Sequence, residues 1–288
     1  IENSAATSLL DVLRSQAGLQ VRDTIGDGSR ATFSLRGFGE NAVNNTLILV
    51  DGKRQSARES RVNGNSGYEQ SFVPPAAAIE RIEVVRGPLS TLYGTDAIGG
   101  VINIITRADA TKEVNLALGS FGYRKADGYL GFKTDEFSGG LSLMSAHSDG
   151  HRQHSDSRQE SAQFRISHTL ALGKVSVIAR GFEETANLPG SLTLDEYAAD
   201  PKKASSSYAP HTHRTGNSLG IKYDRAIGTD DLLTVDVLQQ TSKDESYGTY
   251  YSSWNGMQFA TYSASTITNK RISVNPEYRM KLGVVQFV

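Results

Sequence analysis

From about Arg107 onward the chain repeats one device, segments of roughly ten residues in which apolar and polar side chains alternate. Phe164, Ile166, His168 and Leu170 interleave with Gln163, Arg165, Ser167 and Thr169. Leu219, Ile221 and Tyr223 interleave with Ser218, Gly220, Lys222 and Asp224, and Ile272, Val274 and Tyr278 with Arg271, Ser273, Asn275, Glu277 and Arg279. A period of two is that of a β-strand, so each segment predicts a strand with one apolar and one openly charged face. The connections sort by length. Those near 133–136, 171–174, 226–231 and 281–283 are short, and those near 146–157, 184–213 and 242–262 are long and polar. The first, near 119–122, is a short exception. Strict alternation of short and long predicts a membrane β-barrel, with tight turns at one end and loops at the other. A soluble β-sandwich would also alternate along its strands, but its connections have no reason to sort.

Eight to nine strands fit into residues 108–288, the last a stub at 284–288. An eight-stranded barrel is filled by its own side chains and has no room for a separate domain of about a hundred residues. An open sheet edge is not tolerated in lipid. The expectation is therefore an incomplete barrel, the N-terminal part of a larger one.

The composition agrees. Thirty basic and 31 acidic side chains leave a net charge of -1, which gives no pull toward nucleic acid. Cysteine is absent, excluding disulfides and thiol chemistry, and an apolar fraction of 38% is low for one large water-soluble core. No apolar run is long enough for a transmembrane helix. Ile1 is preceded by no basic and apolar leader, so a mature or trimmed start is expected.

Residues 1–107 follow a different grammar, that of a mixed α/β domain. Ser8 and Asp11 resemble a capping box for a helix carrying Leu9, Leu10, Val12 and Leu13, with Gly18 ending the turn. Strands are predicted at 46–50, closed by Asp51-Gly52, and at 82–85, closed by Gly87-Pro88. A short helix bearing Leu89, Leu92 and Tyr93 follows, then glycines 94, 99 and 100, and a third strand at 101–105.

Four motifs in this domain, SLRGFG (34–39), LILVDGKR (47–54), IERIEVVRGP (79–88) and LYGTDAIGGVINIITR (92–107), resemble the plug domain of TonB-dependent outer-membrane receptors. The resemblance implies a plug, residues 1–107, inside a barrel of 22 strands in the outer membrane of a Gram-negative bacterium. It implies TonB as a partner, through a TonB box that this sequence does not contain. Arg36 and Arg86 match plug arginines that pair with barrel glutamates, which would lie in further strands. A guanidinium suits that role because it pairs bidentately with carboxylates. A local strand-end salt bridge is the alternative.

Ligand contacts are expected at the plug apex and in the long loops. Lys53, Arg54, Arg58 and Arg61, followed by a Gly/Asn-rich stretch to Tyr68, form a basic segment suited to an anionic chelate or carboxylated cofactor. A solvated loop balanced by Glu59 and Glu69 is the alternative. Tyr247, Tyr250, Tyr251, Trp254 and Phe259 have the composition of an adaptable recognition surface, or of an interfacial girdle. His147, His151, His154, His211 and His213 have spacings that could ligate haem iron or a metal, though exposed histidines are more often neither. Segment 187–203 resembles an external-loop segment of some family members that import ferric siderophores or pyrroloquinoline quinone, and is diagnostic of neither.

Energy-coupled import of a scarce organic ligand is the expected function, with a ferric siderophore first and pyrroloquinoline quinone, haem or cobalamin as alternatives. Outer-membrane lipid and lipopolysaccharide are the expected surroundings, with no nucleic-acid partner and no cofactor. A passive porin or adhesin is the competing class, and a porin has no reason to begin with a plug. Catalysis is not expected, for no G-x-S-x-G, H-E-x-x-H or Walker pattern exists, and in Asp23 to Gly28 the calcium-loop reading fails at Ser34.

Overall fold

The computed structural model describes residues 13–14, 18–22, 32–35, 37, 45–57, 67–68, 73–94, 97–228, 231–255, 257–282 and 285–287. Most of the expected first helix lies outside them; Leu13 and Arg14 are helical. The N-terminal region opens with a hairpin of β1 (Leu19–Arg22) and β2 (Thr32–Leu35). Then come β3 (Thr46–Val50), β4 (Lys53–Arg54), β5 (Ser56–Ala57) and β6 (Gly67–Tyr68). A 3-10 turn at Ala76–Ala78 leads into β7 (Ile79–Arg86), α1 (Ser90–Tyr93) and β8 (Gly100–Thr106).

Four of these strands form one sheet in the order β4-β3-β8-β7, with β3 parallel to β8 and β7 antiparallel to it. The apolar run at 46–50 is explained by burial on both faces, the usual condition of a strand with a parallel neighbour. Leu47, Leu49 and Val101 pack with Ala97 on one face. Ile48, Val50, Ile102 and Ile104 pack with Leu13, Leu19, Leu35 and Ile79 on the other. Asp51 and Gly52 both have positive φ, 53° and 78°, closing β3 onto β4 in a two-residue hairpin of the primed type.

The second region is a nine-stranded sheet in which each strand is antiparallel to its predecessor. It comprises β9 (Lys112–Leu118), β10 (Arg124–Lys133), β11 (Phe137–Ser148), β12 (Ser157–Leu170) and β13 (Gly173–Asn187). After α2 (Leu194–Ala199) follow β14 (His211–Ile227), β15 (Asp231–Trp254), β16 (Met257–Leu282) and β17 (Val285–Phe287). The short connections fall where the sequence placed them. One expected long loop does not exist. The stretch 242–262 is paired strand, with Leu232 opposite Arg279 at one end and Trp254 opposite Met257 at the other. Ser, Thr and Tyr on both faces blur the alternation there, yet these residues include good strand formers and their backbones pair. At about 3.3 Å per residue the 24 residues of β15 reach about 80 Å, far beyond the nine to eleven residues that cross the hydrocarbon.

The two faces of this sheet settle its solvent. Leu116, Leu143, Leu219, Ile221, Ile272 and Val274 are exposed, whereas Asp127, Gln163, Arg180, Asp236 and Gln240 are buried. Polar side chains predominate on the face toward the plug, joined there by Tyr129, Ile178, Phe182 and Leu238, and apolar ones on the face away, the inverse of a soluble sheet packed on a core. Among the described residues no helix is long and apolar enough to cross a membrane, which has no bearing on crossing by strands.

Candidate functional site: the seam between plug and barrel wall

The β3–β4 turn projects onto the polar face of the wall. Asp51 is the centre of the contact. Its carboxylate accepts from the Thr106 backbone N at 2.9 Å and from Thr106 Oγ1 at 3.0 and 2.9 Å, which fastens the turn to the end of β8. Arg180 Nη2 donates to Asp51 Oδ2 at 3.0 Å, and Arg165 Nη1 lies 3.3 Å from Oδ1. Arg165 also donates to Thr106 Oγ1 at 2.8 Å, and Arg180 Nε to Gln163 Oε1 at 2.7 Å. With side chains only 5% and 10% exposed, Arg180 and Asp51 form a pair that water screens little.

Two residues along, the polarity reverses. Lys53 Nζ sits 2.6 Å from Asp236 Oδ1 on β15, and Lys53 is 4% exposed. Gln55 continues the line, its Oε1 accepting from Gln240 Nε2 at 3.1 Å, and Arg271 on β16 donates to the Arg54 carbonyl and to Gln240. A second contact holds the 3-10 turn, where Asp127 Oδ2 accepts from Ala77 N at 3.1 Å.

The residues expected from sequence to bind ligand are only partly brought together. Arg58 and Arg61 lie outside the described residues, and Tyr68 is placed only by its backbone, paired with Ser56. Arg54 is half-buried and donates to the Tyr93 carbonyl at 3.1 Å. Lys53, read as part of the apical basic segment, instead points into the seam. The four aromatic residues of β15 do not share one face. The register with β14 and β16 is unbroken, so Tyr250 and Trp254 lie on the face of Asp236 and Gln240, and Tyr247 and Tyr251 on the outer one. Tyr250 stacks on Tyr208 of the 188–210 loop at 3.7 Å and 3°, and Tyr247 meets the His211 ring at 4.9 Å. Of the two expected locking arginines, Arg36 is outside the described residues, and Arg86 is exposed at the end of β7 opposite Gly100.

The histidines are dispersed. His147 Nε2 is 3.0 Å from Asp149, His211 Nδ1 is 2.8 Å from Asn187 Oδ1, and His213 lies between Glu183 at 3.0 Å and Glu245 at 3.4 Å. Among the described residues no group of three or more such side chains is arranged to hold a metal.

The long loops are ordered by their own bonds. Arg152 donates to the carbonyls of Lys203 and Gly190, at 2.8 and 2.9 Å, tying the 149–156 loop to the 188–210 loop. Thr193 and Glu196 form a capping box on α2, and Glu196 also accepts from Ser206. The Ser206 hydroxyl, with the Thr193 and Ser206 backbone N–H groups, lowers the Glu196 carboxyl to about 2.

The sequence reading missed Asp51, Arg165, Arg180 and Asp236 as a group. The available signal was full charge in mid-strand: Arg165, Arg180 and Asp236 occupy the polar positions of alternating segments far from a turn, and a buried charge needs a partner. The Asp-Gly-Lys turn carries both signs within three residues.

Comparison with known proteins accords with this arrangement. Residues 1–101 match the TonB-dependent Receptor Plug Domain family. The chain is 54% identical over 110 residues, 38% of its length, to the iron-regulated outer membrane virulence protein of Vibrio cholerae, covering 16% of that protein. It is 35% identical over 185 residues, 64% of its length, to the vitamin B12 transporter BtuB of Vibrio vulnificus, covering 23% of it. It thus spans less than a quarter of either relative. Among solved structures, P. aeruginosa FpvA bound to heterologous pyoverdines superposes with a TM-score of 0.72 at 14% identity, over 97% of this chain and 38% of that one. Residues 1–101 match the TonB-dependent receptor plug family, and the chain has the fold of the plug and part of the barrel wall in the solved structures it resembles.

Proposed function

We propose that this chain is the plug and adjoining wall of a TonB-coupled importer whose ligand is a ferric siderophore. The observation that carries the reading is a folded plug charge-paired to the polar inner face of a lipid-facing sheet. Such a plug blocks passive flow and makes energy input necessary. The 54% identity with an iron-regulated outer membrane protein supports iron as the cargo. Residues 1–107 act as the plug, and TonB engages a segment outside this sequence. Arg54, Arg58, Arg61 and Tyr68 offer charge and an aromatic ring to an anionic chelate at the apex. Tyr250 and Trp254 supply ring faces from the lumenal side, and Tyr247 and Tyr251 the rim. Arg36 and Arg86 pair with glutamates of further strands.

Cobalamin is the second reading, supported by a similarity to a vitamin B12 transporter that runs over 185 residues, well beyond the plug's length. Uptake of an iron-55 catecholate chelate and of cobalt-57 cobalamin by cells carrying the full-length protein, with and without TonB, separates the two. TonB-dependent iron uptake without cobalamin uptake is expected. Cobalamin uptake alone overturns the siderophore reading.

A further inference from the structure

We propose that the β3–β4 turn is the point where the plug is fastened to the barrel wall, with Asp51 as the positioning residue. This deepens the plugged-importer reading and rests on it. The expected lock supplies arginine from the plug and carboxylate from the barrel. This one is the reverse. Asp51 comes from the plug, and Arg165 and Arg180 come from neighbouring strands β12 and β13.

Four observations converge. The positive φ of Asp51, 53°, is a backbone state that Asp and Asn tolerate better than most residues, and it aims the carboxylate at the wall. Lys53 carries the opposite charge to Asp236 on β15, so the turn and the wall present complementary patterns of two signs. Shifting the turn one way would set Lys53 against the arginines, and the other way Asp51 against Asp236, a like-charge mismatch in a buried seam, so the pattern specifies position as well as adhesion. Gly220 makes room for it on β14, because a Cβ there would stand 2.5 Å from Lys53 Nζ. Finally, Asp51 holds Thr106 as well as the wall, so the same carboxylate joins the β3–β4 turn, the end of β8 and two barrel strands. The β4-β3-β8-β7 sheet is therefore tied to the wall through this carboxylate, alongside the Lys53–Asp236 and Ala77–Asp127 contacts, and plug displacement requires Asp51 to give up its arginines.

Potassium chloride conductance of the full-length protein in planar bilayers, titrated with urea, tests this directly. The unsubstituted protein is expected to be closed without urea. Asp51→Asn keeps the shape and the tolerated φ but removes the charge, and it is expected to open ~100-fold more often at intermediate urea, the scale of breaking one side of a buried pair. Arg180→Gln does the same, and the double variant opens little more than either single one, because both remove one interaction. Equal opening of Asp51→Asn and unsubstituted protein, or fully additive effects of the two substitutions, overturns the proposal. Heat-modifiable gel migration reports barrel folding. If Asp51→Asn fails it, Arg180→Gln alone carries the expectation, and an unchanged urea profile overturns the proposal equally. Conduction by the unsubstituted protein without urea overturns the plugged-importer reading, and this fastening with it, before any variant is made.

Discussion

The plug sheet and the barrel wall are both β-structures, yet they hide opposite kinds of side chain. In the plug, Ile48, Val50, Ile102 and Ile104 are 2% exposed or less and the charged groups lie at its margins. In the wall, Leu219, Ile221 and Ile272 are 45%, 47% and 74% exposed while Arg180 and Asp236 are buried. The same period of two therefore means different things in the two regions, because the plug is surrounded by polar groups and the wall by lipid. Where they meet, the apolar contact is small, Tyr129 of the wall packing on Ala77 and Ala78 of the plug. The rest of the joint described above is made of charges and amides, a chemistry that specifies register strongly and adds little net adhesion.

The largest expected effect strikes that joint. Arg180→Ala leaves Asp51 short of a buried partner and should cost about 3–5 kcal/mol, read by denaturant unfolding of the full-length protein in phospholipid vesicles. A loss below 1 kcal/mol would mean that the seam is wet and weak. Next, the inverse polarity of the wall predicts that Leu219→Arg, on the outer face, costs about 2–4 kcal/mol in the same assay. Lys222→Arg, on the lumenal face beside Asp224, should change little. Equal costs would break the contrast between faces. In the plug, Ile102→Val removes one methyl from a fully buried site and should cost about 0.5–1.5 kcal/mol, with no dependence on lipid composition.

Smaller effects belong to the external loops. Thr193→Ala removes the cap of α2 and should destabilise that turn by about 1 kcal/mol, seen as faster amide exchange across residues 193–206. The Glu196 carboxyl, lowered to about 2, gives the loop a pH dependence of known sign. Its stabilising contribution is fully present above the ordinary carboxylate range and is lost as pH falls through about 2. Protection of this loop, measured against the intrinsic exchange rate at each pH, should hold steady from pH 7 to 5 and fall at pH 2 to 3, and Glu196→Gln should abolish that fall.

Much of the fold was legible in sequence because lipid imposes a strict rule. Alternation at 163–170, 218–224 and 271–279 marked strands, and connection lengths marked the two ends. The reading failed at 242–262, where the strands have left the bilayer and polar residues occupy both faces, so no alternation announces them. For the site, the motifs at 47–54 and 92–107 located the plug, but they offered Lys53 as an apical cation when its partner, Asp236, is 183 residues away. Nothing local distinguishes a lysine facing a ligand from one facing a wall.

By itself the sequence determined that the chain after about Arg107 is built of successive strands and, at 163–170, 218–224 and 271–279, which side of each is apolar, both consequences of short-range periodicity against a fixed solvent. The tertiary structure alone decided which charges meet. The partners of Asp51 are 114 and 129 residues distant, and their pairing depends on how one turn seats in a curved wall. Ion pairing acts through space and carries no sequence period, so only the assembled seam reveals it.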